Sequence, residues 1–572
     1  MTKRKWGLFA FGWVLVLVGS GVASVVQTWG GIDLRDVRLE TADGTELSAL
    51  LYVPPSATAE SPAPAVLAVH GYINSRETQS GFAIELARRG FVVLALDQTG
   101  HGFSGGRAMT EGFGGPAGLA YLRSLAFVDT TNIGLEGHSM GGWAVLAAAQ
   151  AYPDAYESVV LVGSATGPGF AEIGTPTWPR NLGVVFSRFD EFSQLMWGVQ
   201  DATDVVNSEK LQGVFNAPTP IHPGQVYGSP QQGTARWLAM PNTTHPGEHL
   251  SREAIGYTVN WLSATLEGEQ DIPPGRQIWF WKELGTLISL LGAVLLLLGA
   301  FELLLSLPRF AHLAEAGVGV AERMSGRWWL SLSVAALVPA VTYFPLTGWG
   351  SALAANAVLP QSITNQILVW ALANGVLAIP VLWAVRRRSG DAAASGGLLE
   401  RGAAAKLLVA FLSVAAVYAA ALVAHWAFKT DFRFWVVALK PMGAHHVPAF
   451  LAYLLPFTAF FYATQRALHA TLSLRWAGPE RQYATGLVTT AGGFALMVAV
   501  LYAWLFATGH LPNALGVDVL FTVIAIQFVP VLAVTGLVAV FTWRRTNGAL
   551  AGAVICGLLV TWYIVAGQAT HL

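Results

Sequence analysis

A single cysteine, Cys556, is all the chain offers. No disulfide can form within it, and thiolates are too few for a cysteine-based metal site. Charge is scarce as well: Asp, Glu, Lys and Arg make up 12% of the 572 residues, against roughly 25% in an ordinary soluble domain. A formal net charge of −1 lacks the basic excess on which nucleic-acid binding rests, so nucleic acid is not an expected partner. Acidic residues thin out after Glu283, where only Glu302, Glu315, Glu322, Asp391, Glu400, Asp431, Glu480 and Asp518 follow. Glu302 and Asp518 stand near the ends of apolar runs. A proton- or ion-coupled transporter would carry such groups deep inside its spans.

What the chain has in excess is apolar length. Hydrophobic residues reach 53%. Lys3-Arg4-Lys5 precede an apolar run over 6–26, long enough to cross a bilayer and longer than the core of a signal peptide. It reads as an uncleaved anchor (residues 1–29). The small residues at 20–24 leave a cleaved signal as the alternative. Residues 30–275 form a second unit, in which apolar runs at 65–69, 91–96, 132–136, 158–162 and 182–186 alternate with helical stretches. Strands buried on both faces read this way, so a mostly parallel sheet covered by helices is expected. The linker Ile272-Pro273-Pro274-Gly275 ends it. Residues 276–572 read as an all-α bundle of about eight spans, near 283–305, 327–346, 363–385, 404–427, 447–466, 484–507, 515–542 and 548–567. Trp279, Trp281, Trp328 and Trp329 fall at span ends, as an aromatic belt requires.

The basic residues set an orientation. With Lys3-Arg4-Lys5 in the cytoplasm, the second unit lies outside. The inner loops then hold Arg309, Arg323, Arg327, Arg386, Arg387, Arg388, Arg401, Lys406, Arg466, Arg475, Arg481, Arg544 and Arg545. The outer loops near 347–362 and 508–514 hold none, and only 429–446 dissents, with Lys429, Arg433 and Lys440. A multi-pass membrane protein with a cytoplasmic N-terminus follows.

Gly137-His138-Ser139-Met140-Gly141 sits between an apolar run and a helical stretch. A nucleophile elbow needs this strand–turn–helix context, with small residues two positions either side of a strained serine. The turn also lifts the hydroxyl to a helix N-terminus, where negative charge is favoured. With it go Val69-His70-Gly71-Tyr72, the loop Asp97-Gln98-Thr99-Gly100-His101-Gly102-Phe103-Ser104, and residues 181–190. On these motifs residues 35–265 resemble the α/β-hydrolase superfamily, in its lipase, esterase and peptidase branch that includes monoacylglycerol lipases. The resemblance does not extend to the bundle.

The resemblance implies Ser139 as nucleophile and an oxyanion hole made by the backbone N–H groups of Tyr72 and Met140. It makes His70, His138 and His101 structural. The acid falls between serine and histidine in chain order. Asp190, after a strand and turn, suits it. Glu191 is its neighbour, while Asp201 and Asp204 read as solvated charges. The base follows the last strand, over 236–240. His245 suits that place, His249 is its rival, and His222 reads as exposed. No cofactor is implied. An ester or thioester hydrolase acting on small or lipid-like acyl substrates beside membrane lipids is the expectation. A peptidase, a lipid transporter or flippase with a coupled hydrolase, and a non-catalytic binding module are the rivals.

Two features depart from the family pattern or stand outside it. Residues 163–180 leave little room for the usual lid, so the loop 167–179, with Phe170, Ile173 and Trp178, is weighed as a small cover against ordinary packing. His425, His445, His446, His510 and His571 all fall on the outer side, and a metal site among them is weighed against plain interfacial histidines.

Overall fold

The computed structural model describes residues 2–389 and 400–572, apart from 170, 219, 269, 320, 476, 514 and 515. Phe170 thus lies outside the described residues. So do the side chains of 2–5 and 381–389, which include the topology-setting cations Lys3, Arg4, Lys5, Arg386, Arg387 and Arg388.

Nine strands form one sheet: β1 (Asp33–Glu40), β2 (Glu46–Val53), β3 (Ala63–Val69), β4 (Val92–Leu96), β5 (Val128–His138), β6 (Ser158–Val162), β7 (Leu182–Val185), β8 (Val226–Tyr227) and β9 (Arg236–Ala239). Their order is β1-β2-β4-β3-β5-β6-β7-β9-β8. From β4 to β9 every pairing is parallel. The exceptions lie at the edges, where β1, β2 and β8 pair antiparallel. β1 and β8 carry no apolar run, whereas β2 carries one over 49–53 that lies outside the five expected runs. β1 reads Asp-Leu-Arg-Asp-Val-Arg-Leu-Glu and is largely exposed, as befits an edge strand that charge protects from further pairing.

Helices cover both faces, because alternate residues of a strand point opposite ways. Leu67 and Val69 of β3 join one core with Leu119, Ala144 and Leu146, from α3 (Gly115–Arg123) and α4 (Met140–Ala151). Val66 and Ala68 join the other with Phe82, Ile84, Val259 and Leu262. Those four lie on α2 (Ser80–Ala87) and α7 (Arg252–Thr265). The short α5 (Ser193–Trp197) and α6 (Glu209–Phe215) fill the stretch between β7 and β8.

The remaining helices are α1 (Thr2–Gln27), α8 (Trp279–Leu305), α9 (Gly326–Val341), α10 (Tyr343–Gly350), α11 (Ser362–Ser389), α12 (Ala403–Phe428), α13 (His446–Thr471), α14 (Pro479–Leu487), α15 (Gly493–Thr508), α16 (Val519–Thr546) and α17 (Leu550–Gly567). Among the described residues, eight helices are long and apolar enough to cross a membrane, and a ninth span results if the bent pair α9–α10 counts as one. That pair covers the span expected near 327–346, with a bend of 42° at Thr342, three residues after Pro339. The span expected at 484–507 starts earlier, as α14, and reaches α15 through a π-helical turn over Val488–Gly492.

α1 lies along α8. A Cβ added at Gly12 would stand 2.5 Å from the Leu296 nitrogen, and one at Gly292 would stand 2.8 Å from that of Val16. Such backbone approach is what small residues permit between apolar helices. Between α12 and α13 a hairpin, β10 (Phe432–Phe434) with β11 (Val437–Leu439), leaves the bundle and meets the sheet unit.

That meeting involves the loops beyond the carboxyl ends of the parallel strands. The Thr570 backbone donates to Gly100 at 2.8 Å and accepts from Ala108 at 2.7 Å. Arg433 and Lys440, from the hairpin and the residue following it, reach Glu77 at 3.3 and 3.0 Å. In open α/β sheets that edge is where ligands bind.

Candidate active site

Ser139 follows β5 directly and stands before the first residue of α4, with φ 54° and ψ −123°. No ordinary residue adopts this backbone without being held. Its neighbours allow it by their smallness: a Cβ at Gly137 would strike the Gly141 carbonyl, and one at Gly141 the Val69 carbonyl. Met140, as the first helical residue, has no intrahelical partner for its N–H. Among the described residues, no backbone or side-chain acceptor takes the N–H of Tyr72 or of Met140. Two backbone donors are therefore left free on either side of the half-buried serine, where an oxyanion would form.

His245 and Asp190 come together from the ends of β9 and β7. His245 Nδ1 lies 2.9 Å from Asp190 Oδ2, and both side chains are buried. Burial alone would push the imidazole pKa down. The Asp190 charge, the hydrogen bond to it and the Glu191 charge outweigh burial and hold it above the usual histidine value. Glu191 does not simply point elsewhere. Its Oε2 accepts the His245 backbone N–H at 2.8 Å, and its Oε1 accepts the hydroxyl of Tyr502, on α15, at 2.6 Å. Burial, then the Asp190 charge, raise the Glu191 carboxyl to about 7.

The other histidines have fixed posts. His138 Nε2 lies 3.2 Å from the His245 carbonyl and 3.2 Å from Glu248 Oε2. Glu248 in turn accepts from the Ser187 hydroxyl at 2.7 Å. Burial, then the Asp190 charge, push the Glu248 carboxyl well above the carboxylate range, and burial drives His138 well below its own. Both shifts disfavour the charged forms, and the pair braces the loop that carries His245. His249 stacks on His138 with ring centres 3.9 Å apart, and burial takes its pKa to about 3. His70 accepts from the Gln98 N–H at 3.1 Å, while His101 Nδ1 rests 2.9 Å from the Thr99 carbonyl. Asp201 is not merely solvated: it caps the turn over Ala202–Asn207 at Thr203 and lies beside Gly509 of the bundle. Asp204 and His222 are exposed.

Ligand atoms of His138, His245 and Glu248 lie within 4.8 Å of one another. A cation there would compete for the imidazole that Asp190 orients. The five outer histidines form no such group among the described residues. His571 accepts from or donates to the Tyr72 hydroxyl at 3.0 Å, His425 lies near Asp36 and Phe103, and His510 Nδ1 sits 2.8 Å from the Leu511 carbonyl.

Cover over this site comes from the bundle. Tyr502 and Phe506 of α15 stand against Glu191 and Phe189, the phenyl rings meeting edge to face at 5.1 Å. His571 stands against Tyr72. In the loop 167–179, Ile173 is 72% exposed, so the loop leaves its main apolar side chain uncovered. The search for a lid within the sheet unit overlooked these partners because they lie hundreds of residues away in sequence.

Residues 60–191 match the family model described as serine aminopeptidase, S33. A bis(hydroxyethyl) terephthalate hydrolase of Streptomyces coelicolor is 24% identical over 220 residues, which are 38% of this chain and 61% of that protein. The chain thus spans less than two thirds of the relative it matches. Among solved structures, an esterase of Pyrococcus furiosus is 19% identical with a TM-score of 0.31, over 41% of this chain and 94% of that one. A predicted hydrolase of Thermoplasma acidophilum is 16% identical with a TM-score of 0.28, over 41% and 99%.

Proposed function

The part of the chain that carries the sheet being an α/β-hydrolase, we propose that the whole protein is a membrane-embedded serine hydrolase that cleaves ester or thioester bonds of lipid-like acyl molecules. The observation that carries this reading is the docking of the catalytic face on the bundle. Set against apolar helices, a catalytic face fed from a bilayer gains the local concentration of its substrate.

His245 takes the Ser139 proton as the oxygen attacks the acyl carbonyl. Asp190 keeps the imidazole in its tautomer and stabilises imidazolium. The N–H groups of Tyr72 and Met140 receive the oxyanion. The imidazolium then protonates the leaving alcohol or thiol. Water, deprotonated by the same histidine, releases the acid from Ser139. The Streptomyces relative supports ester over amide, since the compound in its name offers esters to hydrolysis. A peptidase reading rests on the description of the matched family.

Labelling with a fluorophosphonate probe tests the proposal. The wild type is expected to label. Ser139→Ala should abolish labelling, while Asp190→Asn and His245→Gln should slow it by about 10³–10⁴-fold. A folded wild type that resists the probe would overturn the reading. Ester dyes set against aminoacyl dyes divide esterase from peptidase.

A further inference from the structure

Within the membrane part, α9, α11, α13, the π-helical turn and α16 surround a cavity of about 350 Å³. An apolar cavity of roughly 150 Å³ takes up benzene, so this one has room for a longer chain. Trp370, Phe460, Phe461 and Leu532 form its inner wall. Its outer rim includes Leu330, Val334 and Leu377, which are 66%, 44% and 50% exposed on the apolar outside of the bundle. The medium on that side is lipid.

The polar atoms on the wall narrow the occupant further. No Asp, Glu, Lys or Arg lines the cavity, so a phosphate, carboxylate or ammonium would find no counter-charge. Five threonines line it, and each has a helix carbonyl within reach of its hydroxyl; Thr471 donates to Ala467 at 2.7 Å. Thr464 donates to Phe460 at 2.9 Å, Thr489 to Thr485 at 2.7 Å and Thr535 to Leu532 at 2.9 Å. Thr490 reaches Gly486 at 3.0 Å and Leu532 at 2.9 Å. With their protons spent on carbonyls, these hydroxyls keep acceptor lone pairs only. The matching ligand brings its own donor.

We propose that this cavity binds the chain of an uncharged lipid alcohol, such as a monoacylglycerol, admitted sideways from the bilayer. Its walls are built for access. Pro339 lies near the end of α9, just before the bend into α10, and the chain passes the cavity in a π-helical turn at Thr489 and Thr490, a local irregularity that recurs at functional sites. Trp370, Phe460, Phe461 and Leu532 also wall a smaller cavity that extends to Gln568. Three residues further on, His571 holds Tyr72 beside Ser139. The lipid site thus shares a wall with a cavity that ends three residues before the His571 that meets Tyr72, and its existence does not depend on what Ser139 hydrolyses.

Binding is tested on full-length Ser139→Ala protein in lipid nanodiscs, with a monoacylglycerol carrying a diazirine at the chain end. Light-induced adducts are expected on α9, α13 and residues 488–492. Excess unlabelled monoacylglycerol should compete them away, and a lysophosphatidylcholine should not. Ala335→Trp and Ala378→Trp, which fill the cavity, should lower the yield by about tenfold. Thr490→Val with Thr535→Val keeps the shape and removes acceptors, and should erase the preference for the alcohol over the matching alkane. Adducts spread evenly over outward faces such as that of α12, or equal competition by the charged lipid, would overturn the proposal. Because the serine is absent, this result stands apart from the fluorophosphonate test of hydrolysis.

Discussion

Glu191 is the residue whose role its position in the sequence conceals. Beside Asp190 it reads as a spare carboxylate. In the fold it takes the backbone N–H of His245 with one oxygen and the Tyr502 hydroxyl with the other, so it links a membrane helix to the general base. This has a sign that can be checked. Catalysis needs neutral His245, whose pKa is held above the usual value, so kcat/KM should rise with pH through that raised pKa. Glu191→Gln removes one of the charges that raise it, and the acid limb should move to lower pH by roughly half a unit to one unit. Tyr502→Phe removes a donor that lowers the Glu191 carboxyl, which then stays protonated further above its present value of about 7. The limb should shift in the same direction by less. A pH–rate profile with a water-soluble ester reads both. Unchanged limbs would reduce Glu191 to packing. Asp190 and His245, which the fold brings to 2.9 Å, each follow a strand end in chain order, and Ser139 stands between a strand and a helix, so all three positions can be read from the sequence. Glu191 was not, because its partner Tyr502 stands 311 residues away.

At the scale of elements, legibility follows solvent. Central strands buried on both faces appear as apolar runs and were readable to within a few residues. β1 and β8, half exposed at the edges, carry no such run. The loop that broke the charge rule has the same explanation. Two of its cations, Arg433 and Lys440, are buried against Glu77, and Arg433 also meets Asp431 at 2.6 Å, so they are not the free loop charges that the rule counts. The pairing of α1 with α8 was invisible, since an apolar run does not name its neighbour. It depends on glycines at close approach. Gly292→Leu should drive the helices apart and cost about 1–3 kcal/mol, seen as a lower melting temperature in detergent. Gly7→Ala, on the partner helix α1 with nothing within 4 Å, is the control and should leave the transition in place.

For the molecule as a whole, the sheet unit and the bundle are joined by buried charge. Burial would raise the Glu77 carboxyl, but Lys440, Arg433 and Arg76 hold it well below the usual carboxylate range. Arg76 also pairs with Asp36 at 2.8 Å. Glu77→Gln leaves Lys440 buried without its partner, and breaking such a pair costs roughly 3–5 kcal/mol. Limited proteolysis of the full-length protein should show the sheet unit loosened from the hairpin. A fragment covering 30–275 alone would expose the faces that Tyr502, Phe506 and Thr570 cover, and its esterase activity should fall well below that of the full chain.

These contacts also set an order in time. Glu77 is synthesised 363 residues before Lys440, and Tyr72 precedes His571 by 499. A ribosome that has just finished the sheet unit has made Ser139, Asp190 and His245, but not the helices that roof them. Contacts so distant in sequence form late. The newborn enzyme is therefore expected to stay unfinished through most of its own translation, and to acquire its working pocket only as the last helices enter the membrane.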